Sequence, residues 1–143
     1  DRIQECRDLE AEWCKVNNCD QKEGTGNERR ALIYALHNFE ALGLTGGILH
    51  VNGKIVAFTF GMPINHETFG VHVEKADTNI DGAYAMINNE FANHIPEQYI
   101  YINREEDLGL EGLRKAKLSY QPVTILEKYM ACLKDHPMDI IRW

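Results

Sequence analysis

Apolar residues open this chain at helical spacing: Ile3, Cys6, Leu9, Trp13 and Val16 fall on one face, which predicts an amphipathic helix over residues 1 to 17. A polar stretch from Asn18 to Gly26 follows. Asn27 is placed to cap a second helix with Ala31, Leu32, Ala35, Leu36, Phe39 and Leu42 on its buried side, and Gly43 to stop it. The period then changes. Residues 45–51 and 54–62 read as strands flanking Asn52-Gly53, the strongest short-range signal for a two-residue hairpin. Pro63 to Glu67 form a second turn, and Thr68 to Glu74 alternate as a third strand, in which His72 is expected to point opposite to Val71 and Val73. A helix from about Ile80 to His94 is closed by Pro96. Gln98 to Ile102 then reads as a short buried strand, a further helix begins near Leu110, and Pro122 to Leu133 reads as a last long strand. The order helix, helix, three antiparallel strands, helix, strand, helix, strand predicts an α/β (α+β) single domain. Its sheet is mixed, with helices on both faces and the third and fourth strands parallel.

With 143 residues the chain can bury a core without covalent staples. Cys6, Cys14, Cys19 and Cys132 are irregularly spaced, without a C-x-x-C pair or a finger-spaced histidine, and read as reduced thiols of a cytosolic protein. No apolar run reaches 18 residues, so no membrane span is expected. A net charge of −7 argues against broad nonspecific nucleic-acid binding, although Arg104, Arg114, Lys115 and Lys117 could make a local basic patch. The first residue is Asp, and the chain is accordingly expected to be an excised part of something longer.

Candidate chemistry concentrates between Tyr101 and Tyr120, where acids, bases and glycines crowd a strand-to-helix junction. Glu105, Glu106 and Asp107 stand at a helix entry, where carboxylates are favoured by the helix dipole, and Asp107 is a candidate N-cap. Gly109 and Gly112 interrupt the helix start at up to about 1 kcal/mol each, which capping alone does not explain. Acyl transfer to an amine requires a base, donors for the developing oxyanion and an acid for the leaving group. Glu105 or Glu106 can serve as base or hold a cationic amino group, and Tyr120 can protonate a leaving thiolate or alkoxide. Arg104 and Arg114 can bind a carboxylate or phosphate bidentately, or else pair internally with Glu106 and Glu111. Asn103 adjoins them, and Lys128 on the last strand faces a cleft or snorkels to the edge. His66 reads as a turn residue and His72 as a surface or cleft residue. No histidine pair has metal spacing, and no metal is expected.

The element order resembles the acyltransferase fold of the GCN5-related N-acetyltransferase superfamily, in which two neighbouring strands splay apart to admit an acyl donor. The junction is more specific. Asn103-Arg104-Glu105-Glu106-Asp107-Leu108-Gly109, Gly112-Leu113-Arg114, Lys117, Ser119-Tyr120 with Pro122, and Glu127-Lys128-Tyr129 resemble a bacterial domain family of unknown function. That family is related to the C-terminal domain of phosphatidylglycerol lysyltransferases and to peptidoglycan aminoacyltransferases. The resemblance implies the C-terminal copy of a tandem, with the N-terminal half of the same protein as partner. It further implies an acyl or aminoacyl group passed to an amine or hydroxyl acceptor, from an acyl-coenzyme A or an aminoacyl-tRNA, or a noncatalytic binding or interdomain module. The superfamily's phosphate loop is matched here only by Gly82-Ala83, and Asp77 and Asp81 place negative charge where a pyrophosphate would sit.

Overall fold

The computed structural model describes residues 2–17, 19, 25–107 and 109–129, which fall into two compact units, Asp1–Glu105 and Glu106–Trp143. In the first unit, helices α1 (Arg2–Val16) and α2 (Thr25–His37) precede a meander of β1 (Thr45–Val51), β2 (Lys54–Pro63) and β3 (Thr68–Ala76). Helix α3 (Ala83–His94) then leads to the short strand β4 (Tyr101–Asn103). The sheet order is β1-β2-β3-β4, antiparallel except for β3 and β4, which are parallel. This is the mixed α+β sheet that the sequence predicts.

Alternation along β2 divides the core between two faces. Phe58 and Phe60 pack with Cys6 and Leu9 of α1 and with Leu32 and Leu36 of α2, while Ala57 packs with Ala83 and Ile87 of α3 on the other face. Phe69 and Val71 extend that second face under Phe91. Helices therefore cover both faces. The Asn52-Gly53 hairpin forms as predicted, with both residues at positive φ, 50° and 78°, as a type I′ turn requires. Gly61 is dictated by a close approach instead: a Cβ there would stand 1.9 Å from the Gly70 carbonyl oxygen.

Several expectations are corrected. Asn27 lies inside α2, which begins two residues earlier, so it is not the cap; its Oδ1 accepts a hydrogen bond from Arg30 Nη2. The helix ends at His37, before Leu42, which is exposed. Val16 leaves the buried stripe of α1, and Glu10 enters it, 2% exposed and 3.1 Å from Arg29. Cys14 and Cys19 form a disulfide, so four reduced thiols are not present. Cys6 is a buried free thiol, pushed up to about 11 by burial. The fourth strand is exposed at Tyr101 and Ile102 rather than buried.

In the second unit, α4 (Glu111–Ser119) buries none of its residues. Residues 122–129 form no strand and are exposed, so the expected last strand is absent there, and its remainder lies outside the described residues. Among the described residues, no helix is long and apolar enough to cross a membrane.

Candidate functional site

Strands β3 and β4 pair over only three residues: Thr68 opposite Tyr101, Phe69 opposite Ile102 and Gly70 opposite Asn103. Strand β4 ends there, at Asn103, so Val71 to Ala76 continue along β2 without a β4 partner. Just past the end of β4, two pairs of side chains face each other. His72 Nδ1 lies 2.5 Å from Glu105 Oε1, and Arg104 Nη2 donates to Glu74 Oε1 at 2.9 Å. The second Glu74 oxygen accepts from Asn88 Nδ2 of α3 at 3.2 Å.

Local backbone explains how adjacent residues reach different partners. Pairing of β2 with β3 steps from Phe60 opposite Val73 to Gly61 opposite Val71, which makes His72 the extra residue of a bulge. Val71 consequently packs with Phe91 on the α3 face, whereas Val73 packs against the α1–α2 core, so the strict alternation expected around His72 does not hold. Gly70 leaves room beside the imidazole: a Cβ there would stand 3.4 Å from His72 Cε1 and closer still to Ile64. On the β4 side, the Asn103 side chain accepts from the Glu105 backbone N–H at 2.8 Å, and Glu105 takes φ 55°. A left-handed non-glycine residue is a strained conformation of the kind concentrated at functional sites. The turn sends Arg104 to the carboxylate of Glu74 and Glu105 to the imidazole.

Of the residues singled out in the sequence, Asn103, Arg104 and Glu105 are thus brought together in the first unit. Gly82 and Ala83 stand at the start of α3, where Gly82 has φ 78° and open space around it, while Ala83 is buried against Ala57 and Ala76. Glu106, Arg114, Tyr120 and Lys128 belong to the second unit. There Arg114 donates to both oxygens of Asp107, at 2.6 and 3.3 Å, instead of pairing with Glu106 or Glu111. This bond, with a second from the Gly109 N–H, holds the Asp107 carboxyl below its ordinary range. Asp107 caps the turn before α4 and not the helix, whose N-cap is Leu110. Lys128 Nζ lies 3.5 Å from Glu106, Lys117 Nζ donates to the Glu106 carbonyl at 2.7 Å, and Tyr120 follows α4 half exposed.

His72, Glu74 and Asn88 were not among the expected site residues. The signal for them was weak, since only the bulge in β3 and the turn after β4 bring them to the junction. Two surface depressions, of about 360 Å³ beside Arg29, Tyr34 and His37 and about 170 Å³ beside Trp13, Lys54 and Asn79, touch none of these residues. Among the described residues no cluster of His, Cys, Asp and Glu has the arrangement of a metal site.

Residues 1–132 match the sequence family described as phosphatidylglycerol lysyltransferase, C-terminal. The chain belongs to that family. No curated protein matches this family member significantly. Among solved structures it is similar to a conserved protein of unknown function from Bacteroides thetaiotaomicron VPI-5482, at 96% identity and a TM-score of 0.90. That likeness covers 94% of this lysyltransferase-family chain and 45% of the other, so the chain spans less than half of its relative's length. It is also similar to a ribosomal-protein-alanine N-acetyltransferase from Brucella melitensis biovar Abortus 2308, with a TM-score of 0.61 at 14% identity, over 92% of this chain and 93% of that one. At this identity the likeness establishes a shared fold, that of an N-acetyltransferase.

Proposed function

We propose that this chain is an acyltransferase domain that passes an acyl or aminoacyl group to an amine or hydroxyl acceptor. The observation that carries the reading is the edge of β3 beyond Gly70, which the three-residue β4 does not cover, in an N-acetyltransferase fold, with His72–Glu105 and Glu74–Arg104 beside it. A strand edge that its neighbour leaves uncovered offers backbone N–H and C=O groups that an extended acyl donor can pair with, next to groups able to move a proton. Within the first unit, His72 and Glu105 are the proposed proton-transfer pair, with Asn103 and Arg104 on the substrate side. Gly82 presents the open backbone at the start of α3 for an anionic part of the donor.

The donor is an acyl-coenzyme A or an aminoacyl-tRNA. The family membership favours the aminoacyl form, as do Asp77 and Asp81 ahead of α3. Because the chain spans 45% of its Bacteroides relative, we propose the rest of such a chain as the partner that completes the donor groove. Both donors are cytoplasmic metabolites, which supports a cytoplasmic location, while the Cys14–Cys19 disulfide weighs against a strongly reducing surrounding. A second reading, a binding module without catalysis, is favoured by the acidic approach to α3 and the burial of Ala83.

Thermal shift of the intact protein with acetyl-coenzyme A, longer acyl-coenzyme A species and a charged aminoacyl-tRNA mimic separates the readings. A bound donor at 100 times its Kd is expected to add about 2.7 kcal/mol. Stabilisation by one donor class with turnover upholds the transferase. Stabilisation without turnover upholds the binding module, and no shift with any donor rejects both.

A further inference from the structure

The geometry points to His72, rather than either glutamate, as the base of the proposed transfer, with Glu105 as its positioning residue. The inference rests on the acyl-transfer reading above and assigns roles within it. An ionised carboxylate only accepts hydrogen bonds, so the 2.5 Å contact between Glu105 Oε1 and His72 Nδ1 requires Nδ1 to carry the proton. In the neutral imidazole this leaves the Nε2 lone pair free to accept a proton, and the tautomer is set by the bond at the other nitrogen. Three features hold the pair. The bulge makes His72 the extra residue of β3, Gly70 leaves space beside its ring, and the Asn103 side chain fixes the left-handed Glu105. With about a third of its side chain exposed, His72 remains accessible to an acceptor.

The step balances with an acyl thioester or aminoacyl ester as donor. The acceptor amine nitrogen attacks the donor carbonyl carbon, and a C–N bond forms as the C–S or C–O bond breaks. His72 Nε2 takes the proton from the amine nitrogen, and the departing thiolate or alkoxide is protonated in turn. His72 is thereby regenerated neutral. Glu105 keeps its negative charge throughout and stabilises the transient imidazolium, as an orienting carboxylate does in other base dyads.

The test uses the intact protein in two measurements. Nitrogen chemical shifts of the His72 ring are expected to show the Nδ1–H tautomer at pH 8, and Glu105→Gln is expected to shift the population toward Nε2–H. A dominant Nε2–H tautomer in the unsubstituted protein overturns the inference. With whichever of acetyl-coenzyme A or the aminoacyl-tRNA mimic is turned over, His72→Gln is expected to lower kcat at least 100-fold with the donor KM within about twofold. Glu105→Gln is expected to lower kcat about 10-fold, at an unchanged thermal midpoint. Full turnover by His72→Gln overturns the inference while leaving the transferase reading standing. Absence of turnover by the unsubstituted protein with every donor instead rejects the transferase reading, and the base role with it.

Discussion

The Glu74 carboxylate is only 11% exposed, yet it has two donors, Arg104 just after β4 and Asn88 of α3. A carboxylate so far from water is stabilised only while its hydrogen bonds persist, and removing the guanidinium leaves the amide alone to satisfy it. Arg104→Met is therefore expected to lower stability by about 1–3 kcal/mol, with Glu74→Gln in the same chain recovering part of the loss. Urea unfolding of the four-member cycle checks this, and an unchanged midpoint for Arg104→Met would mean that the pair is a solvated contact. Lys75 shows the same principle elsewhere. It is 8% exposed, pairs with Glu28 at 2.8 Å and lies 3.7 Å from the centre of the Trp13 ring, whose Nε1 in turn donates to Tyr84. Exposed ion pairs count for less, and Lys54 with Glu12 at 3.8 Å is one of these.

At the scale of elements, two glycines of the meander separate backbone conformation from space. Gly53 has φ 78° with nothing near a Cβ, so Gly53→Ala meets only the left-handed penalty, about 1–2 kcal/mol. Gly61 has an ordinary φ but no room, because its Cβ would overlap the Gly70 carbonyl and β2 would have to leave β3. Gly61→Ala is expected to be the more damaging by at least about 2 kcal/mol, read as the difference between the two denaturation midpoints. Equal losses would show that β3 yields easily at its bulge. Helix α4 depends on a different force. It buries no residue, so its entry turn relies on Asp107, whose carboxyl is held below its ordinary 3.8 mainly by the hydrogen bond from Arg114. A carboxyl depressed in the folded chain contributes stability that is complete above its unfolded value and is lost as pH falls through the lower folded value. Amide protection across 111–119 is thus expected to be constant from pH 7 to 5 and to decline below about pH 4. Asp107→Asn should remove that decline; an unaltered acid profile in the variant would refute the capping role.

At the scale of the whole molecule, a net charge of −7 sets the terms for any aminoacyl-tRNA donor, since phosphate contacts require a basic surface that this chain does not supply in bulk. The donor screen is for that reason proposed on the intact protein. The meander, its Asn52-Gly53 turn and the helix before Pro96 were legible because each follows from local periodicity and turn chemistry, which one segment expresses without its neighbours. Junction residues Asn103, Arg104 and Glu105 were legible as a dense run of polar groups, but not their partners. A bulge adds one residue to one strand and reverses the facing of all that follow, so Val71 and Val73 cannot be assigned to faces by counting. Likewise the last strand was read from the Val, Thr, Ile, Leu and Tyr of residues 122–133, but β-propensity reports a fit to a sheet surface, and the described part, 122–129, forms no strand. The burial of Glu10 and the Cys14–Cys19 bond escaped for a related reason: each depends on the side chains that packing brings near. The sequence by itself determined the order of elements as far as α4, the mixed α+β sheet and the place along the chain where charge gathers, because short-range sterics and hydrophobic period specify those. Tertiary structure alone decided that β4 ends after three residues paired with β3 and that His72 meets Glu105 just beyond, because strand register and long-range pairing are settled by packing across the sheet.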